Sequence, residues 1–134
     1  MERTLYSDRY VTLTFVEPDG IVRYARSALP FPSIDEVRSI HDRVSVAIPW
    51  LPGVRLALLL DVREAPPRND PEFEREISRA LDTFLPHFIA RAVLVKSAAG
   101  ALQARRLEKE RGPSQQPVFE DEATAIAHLK RARA

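Results

Sequence analysis

Residues 54–62, VRLALLLDV, form the most apolar run of the chain, with Pro52-Gly53 before it and the proline-bearing loop REAPPRND after it. Spanning a bilayer as a helix takes about 20 apolar residues, so nine are too few. A continuous apolar run of this length between turn residues reads as a strand buried on both faces. Strands of that kind occupy the middle of α/β sheets, where function gathers at the carboxyl ends of the central strands. Asp61 closes the run, so Asp61 and the loop behind it are the first candidates for a site.

The flanking segments supply the partners such a strand needs. Tyr10 to Glu17 alternates Val11, Leu13 and Phe15 against Thr12 and Thr14, and Ile21 to Ser27 alternates again. One side of the second run carries Ile21, Arg23, Ala25 and Ser27; the other carries Val22, Tyr24 and Arg26. Pro18-Asp19-Gly20 between them is a turn, so the two runs form a β-hairpin. Ser33 with Glu36 makes a capping-box start for a helix striped by Ile34, Val37, His41, Val44 and Ile48. Pro49 to Gly53 stops it.

Beyond Asp61, Asp70 is an N-cap and Pro71 takes the first helical position, where its missing N–H costs nothing. Phe73, Ile77, Leu81, Phe84 and Leu85 follow at helical spacing up to Pro86. Arg91 to Lys96 reads as a short strand and Ser97 to Arg111 as an amphipathic helix ended by Gly112-Pro113. Gln116 to Phe119 is a very short strand. Glu120 to Ala132 is a last helix, with Ala123, Ile126, Ala127 and Leu129 facing inward. The order is β-β-α-β-α-β-α-β-α: an antiparallel hairpin, then strands reached through helices and paired in parallel by right-handed crossovers.

Composition narrows the function. The 134 residues suit a single domain, 1–134, and a net charge of +1 provides no global basic field for nucleic acid. The absence of cysteine excludes disulfides, thiolate metal sites and cysteine catalysis. The opening MERTLYSDRY is charged and is not a secretory signal, so a cytoplasmic location without a membrane span is expected. Neither a Walker-type nor a dinucleotide-binding glycine pattern occurs, and His41, His87 and His128 form no H-x-x-x-H pair. No metal, cofactor or catalytic residue is expected.

Three stretches, LALLLDVREAPPRNDPEFE at 56–74, RAVLVKSAAGALQARRLEKERG at 91–112 and PVFEDEATAIAHLKRA at 117–132, together resemble the STAS domain. That family takes its name from sulfate transporters and anti-sigma-factor antagonists. The closer likeness is to bacterial STAS-like proteins grouped with the sporulation anti-sigma-factor antagonist. The resemblance implies a mixed sheet of four to five strands with helices mainly on one face. It also implies a non-catalytic regulatory or signalling role, binding another protein. In phosphoregulated members a Ser or Thr at the start of the helix after the central strand is the switch. Here residues 62–71 hold no Ser or Thr, and Asn69 and Asp70 stand at the helix start. A constitutive binder is therefore expected, with Asp61, Arg63, Arg68, Asn69, Asp70 and Phe73 as its partner surface.

Other readings accompany this one. Lys96 and Ser97, at a strand end opening a helix, offer an anion site, and the resemblance adds guanine-nucleotide binding, known for some STAS domains. A small-ligand module for a nucleotide or lipid is thus the alternative function. Asp61 with Lys96 also has the residue types of a response-regulator phosphoacceptor and its lysine, although a receiver opens with a strand and helix rather than a hairpin. Trp50 with Phe31, Arg63, Arg68 and Phe73 would line a rim of the domain. The outer hairpin edge would permit a homodimer.

Overall fold

The computed structural model describes residues 2–17, 19–48, 55–66, 70–83, 85–97 and 117–133. Within them a six-stranded mixed sheet carries three α-helices. Strands β1 (Glu2–Ser7), β2 (Val11–Val16) and β3 (Ile21–Arg26) are followed by α1 (Ile34–Ala47), β4 (Ala57–Asp61) and α2 (Pro71–Asp82). A 3₁₀ turn (Leu85–His87) leads to β5 (Ala90–Leu94), β6 (Val118–Phe119) and α3 (Glu122–Arg133). The strands lie side by side in chain order, antiparallel from β1 to β3 and parallel from β3 to β6.

All five residues of β4 are buried, as its two-sided apolar run requires. Alternation divides them. Leu58 and Leu60 point into the larger core with Val11, Leu13, Val22, Tyr24, Val37, Ile40, Val44 and Val93. Ala57 and Leu59 point into a smaller core with Ile21, Ala90, Ala92, Leu94, Ala125 and Leu129. Helices α1 and α2 cover the first face and α3 the second. The reason lies in the strand order. Crossovers that step in one direction along a sheet and keep the right-handed sense put their helices on one face, so α1 and α2 share one. α3 follows β6 and packs over the other. Its contact is narrow: Ala125 and Leu129 are its buried residues.

The expectation of four to five strands is corrected to six. The missed strand is β1, read from sequence only as a charged opening. It pairs with the outer edge of β2, with a register shift between Thr4 and Tyr6. Its turn is built by Asp8, whose carboxylate accepts the amides of Tyr10 (2.7 Å) and Val11 (2.8 Å) and the Tyr6 hydroxyl. The hairpin edge expected to be free is therefore occupied by β1. At the other hairpin Gly20 takes φ 67°, the left-handed conformation that a glycine adopts without strain. In α3 the inward residues are Ala125 and Leu129, whereas Ala123, expected inside, is exposed. The helix expected over 97–111 and the Trp50 segment lie outside the described residues.

Both helix starts follow the sequence. The Ser33 hydroxyl accepts the Glu36 amide at 3.1 Å, and the Asp70 carboxylate accepts the Glu72 amide at 3.0 Å. Among the described residues no helix is long and apolar enough to cross a membrane.

Candidate functional site

Strand parity decides where Asp61 points. It follows Leu59 on the α3 side of the sheet, at the carboxyl end of β4, and only 8% of it is exposed. Arg23 lies on the same side of β3 opposite Leu59 and runs its aliphatic stem along the sheet towards that edge. Its guanidinium donates to Asp61 Oδ2 at 3.2 Å. Arg63 turns back from the loop: Nη2 donates to Oδ2 at 2.7 Å, Nε to Oδ1 at 2.9 Å and its own amide to Oδ1 at 3.3 Å. Glu122, in the first turn of α3, completes the group. Its Oε1 pairs with Arg23 and lies 3.8 Å from Arg63.

Two arginines and two carboxylates thus neutralise one another where β3, β4, the β4–α2 loop and α3 meet. Burial pushes the Asp61 carboxyl up, but the Arg63 hydrogen bonds and the charges of Arg63 and Arg23 outweigh it and hold Asp61 below the usual range. Asp61 also holds Arg63 above its ordinary value through their side-chain hydrogen bonds. An ionised carboxylate offers about four acceptor positions, and four donors occupy them here. A carboxylate in that state is a poor proton acceptor and a poor nucleophile.

A second polar group lies on the α1 side. The Tyr24 hydroxyl and His41 Nε2 are 2.7 Å apart, and His41 Nδ1 is 2.7 Å from the Val37 carbonyl. A carbonyl only accepts, so Nδ1 carries the proton and Nε2 accepts from Tyr24. Both side chains are buried, His41 stacks on Tyr24, and Phe31 leans on His41. Burial lowers the imidazole below its ordinary value and raises the Tyr24 phenol. Arg26 lies 3.9 Å above the Phe31 ring and donates to the carbonyls of Tyr10 (3.1 Å) and Leu29 (2.8 Å), fixing the β3–α1 loop. These groups are arranged to hold the loop and the sheet together.

The expected partner surface is only partly assembled. Asp61 and Arg63 come together on the α3 side, whereas Asp70 is exposed at the start of α2, which packs on the opposite face. Alternation along β4 turns Asp61 towards the face opposite α2, and the expected path between them runs through residues 67–69, outside the described residues. Phe73 is half-buried against the larger core, and Phe31 is 2% exposed within it rather than on a rim. Arg68 and Asn69 lie outside the described residues. Lys96 and Ser97 are exposed just past β5, and residues 98–100, which would shape an anion site there, also lie outside. The cations at Asp61 are Arg23 and Arg63, which is not the lysine arrangement of a receiver. Among the described residues no three His, Cys, Asp or Glu side chains are placed to hold a metal ion.

Sequence reasoning missed Arg23 and Glu122. A signal was present for the first. Arg23 shares the parity of Ile21 and Ala25, so an arginine on that face of an internal strand calls for a counter-charge, and the only acidic residue of the central run is Asp61. Glu122 had no such signal, because strand parity says nothing of where a terminal helix lies. Compared with known proteins, the chain matches no family model, no curated protein and no solved structure.

Proposed function

We propose that the protein is a non-catalytic, STAS-like binding module that engages another protein in a bacterial regulatory assembly. It does so without the Ser/Thr switch that the resemblance associates with the loop before α2. The observation that carries this reading is the saturation of Asp61. The one carboxylate at the carboxyl end of the central strand is spent on positioning Arg63 and Arg23, which suits a surface that presents charge. The start of α2 agrees with it. Asp70 supplies a permanent negative group to the first-turn amides, the position a phosphate would take in a switched relative.

The partner surface lies at the carboxyl edge on the α3 side, with Arg63 and Glu122 outermost. Reversing charge with Arg63→Glu and Arg68→Glu is expected to lower recovery of the specific partner in affinity purification from the native organism by at least about tenfold, the usual scale for a truncated interfacial charge pair. Circular dichroism and the denaturation midpoint of the same variant show whether it is folded. Unchanged recovery by a folded variant would move the surface elsewhere. A stoichiometric phosphate at Ser78 or Ser97 that abolishes binding would replace the constitutive binder with a switched one.

A further inference from the structure

The four charged groups at the end of β4 are not equally committed. The Asp61 side chain is 10% exposed and that of Arg23 17%, whereas Arg63 and Glu122 are 38% and 39% exposed. Asp61 accepts from both guanidiniums and so holds two like charges side by side. One buried carboxylate against two arginines leaves one positive charge over, and Glu122 neutralises it. That carboxylate is brought in by α3, whose hold on the sheet comes from Ala125 and Leu129 further along the helix. It is therefore the member of the group that can leave while the rest of the fold stays in place. Glu122 is 39% exposed, so water can take up its charge as it leaves, while Arg23 and Arg63 keep their bonds to Asp61.

We propose that Arg23 and Arg63 form an anion receptor that Glu122 occupies in the closed molecule, and that an acidic side chain of the partner protein takes Glu122's place. The paired planar guanidiniums, already oriented by Asp61, fit a carboxylate in the way they now hold Glu122. The inference rests on the partner-binding reading above and names the chemistry the partner brings. It also couples binding to the first turn of α3, which loses its tether when Glu122 is displaced.

The test uses the full chain with tetraglutamate peptide as probe, by calorimetric titration at low ionic strength. Glu122→Gln, which removes the resident charge and keeps the shape, is expected to bind tetraglutamate about tenfold more tightly than the wild type, the worth of one charge-assisted pair. Adding Arg63→Gln is expected to remove that gain. Equal affinity of Glu122→Gln and the wild type would overturn the proposal, as would a gain that survives the loss of Arg63. An Arg63-dependent gain seen with inorganic phosphate but not with tetraglutamate would overturn the carboxylate assignment. In the wild type, saturating tetraglutamate is expected to speed amide exchange over residues 122–126; unchanged exchange there counts against displacement of Glu122. The two readings can fail separately. If the peptide results hold while partner recovery ignores Arg63, the receptor stands and the partner surface falls. If recovery depends on Arg63 while the peptide does not discriminate, the partner surface stands and the receptor falls.

Discussion

His41 and Asp61 are both buried ionisable side chains, and they meet burial in opposite ways. Asp61 keeps its charge because two guanidiniums and an amide surround it. His41 is pushed towards its neutral form because burial disfavours the charged imidazole, which outweighs the bond to the Val37 carbonyl. The consequence for stability has a definite sign. His41 is held below its ordinary value of 6.5, so once the pH drops under about 6.5 the unfolded chain binds a proton that the folded one refuses. Stability then falls with decreasing pH, by at most about 1.4 kcal/mol per pH unit, until the folded-state value is reached. Asp61 and Asp8 are held low and contribute in the same direction only further down, as the pH falls through the carboxylate range. Urea midpoints measured from pH 7.5 to 5 are expected to decline for the wild type and to stay nearly level for His41→Gln, which does not titrate. An equal decline in both would mean that His41 is not the group responsible. The bonding partner of His41 was not legible in the sequence. His41 was visible on the inner stripe of α1, but Tyr24 is 17 residues earlier and meets it only because β3 passes beneath the helix.

At the scale of elements, ends were easier to read than interiors. Ser33 and Asp70 start their helices through short-range hydrogen bonds to amides two and three residues ahead, and such contacts are written in local sequence. Asp70→Ala is expected to lower the denaturation midpoint by the equivalent of about 1 kcal/mol, the usual worth of an N-cap, and to leave α1 unaffected. Amide exchange quickened in residues 72–75 and unchanged in 34–40 would verify this; a uniform change would contradict it. The β1 strand was missed because its two charged residues and the Ser-Asp-Arg turn hide an alternation that one edge pairing is enough to stabilise. What could have revealed it is Asp8, a turn-former placed directly before a strongly alternating strand. Helix α3 was legible as a helix, but its buried side was misjudged by a small rotation, since an alanine-rich helix has a weak apolar stripe.

At the scale of the whole molecule, the strands among the described residues run in chain order without reversal. A sheet of that kind lacks the crevice that opens where strand order changes direction, the usual ligand site of open α/β sheets. That removes the premise on which the end of the central strand first attracted attention, and it leaves the interlocked charges beside α3 as the better reason to look there. The free edge has moved as well. With β1 in place, the long edge of β2 is covered, and the exposed strand carries Glu2 and Arg3, charges that discourage edge-to-edge pairing. Deleting residues 2–7 is expected to uncover β2 and shift the chain to larger species in light scattering; an unchanged mass would show that β1 does not guard that edge. By itself the sequence determined the α/β class, the two-sided burial of β4, the β2–β3 hairpin and the caps of α1 and α2, because periodicity and short-range hydrogen bonds set each of these within a few residues. Tertiary structure alone decided that β1 closes the edge, that α3 covers the second face, and that Arg23 bridges Asp61 and Glu122. Those contacts join residues 38 and 99 positions apart, and only the tertiary fold brings such residues together.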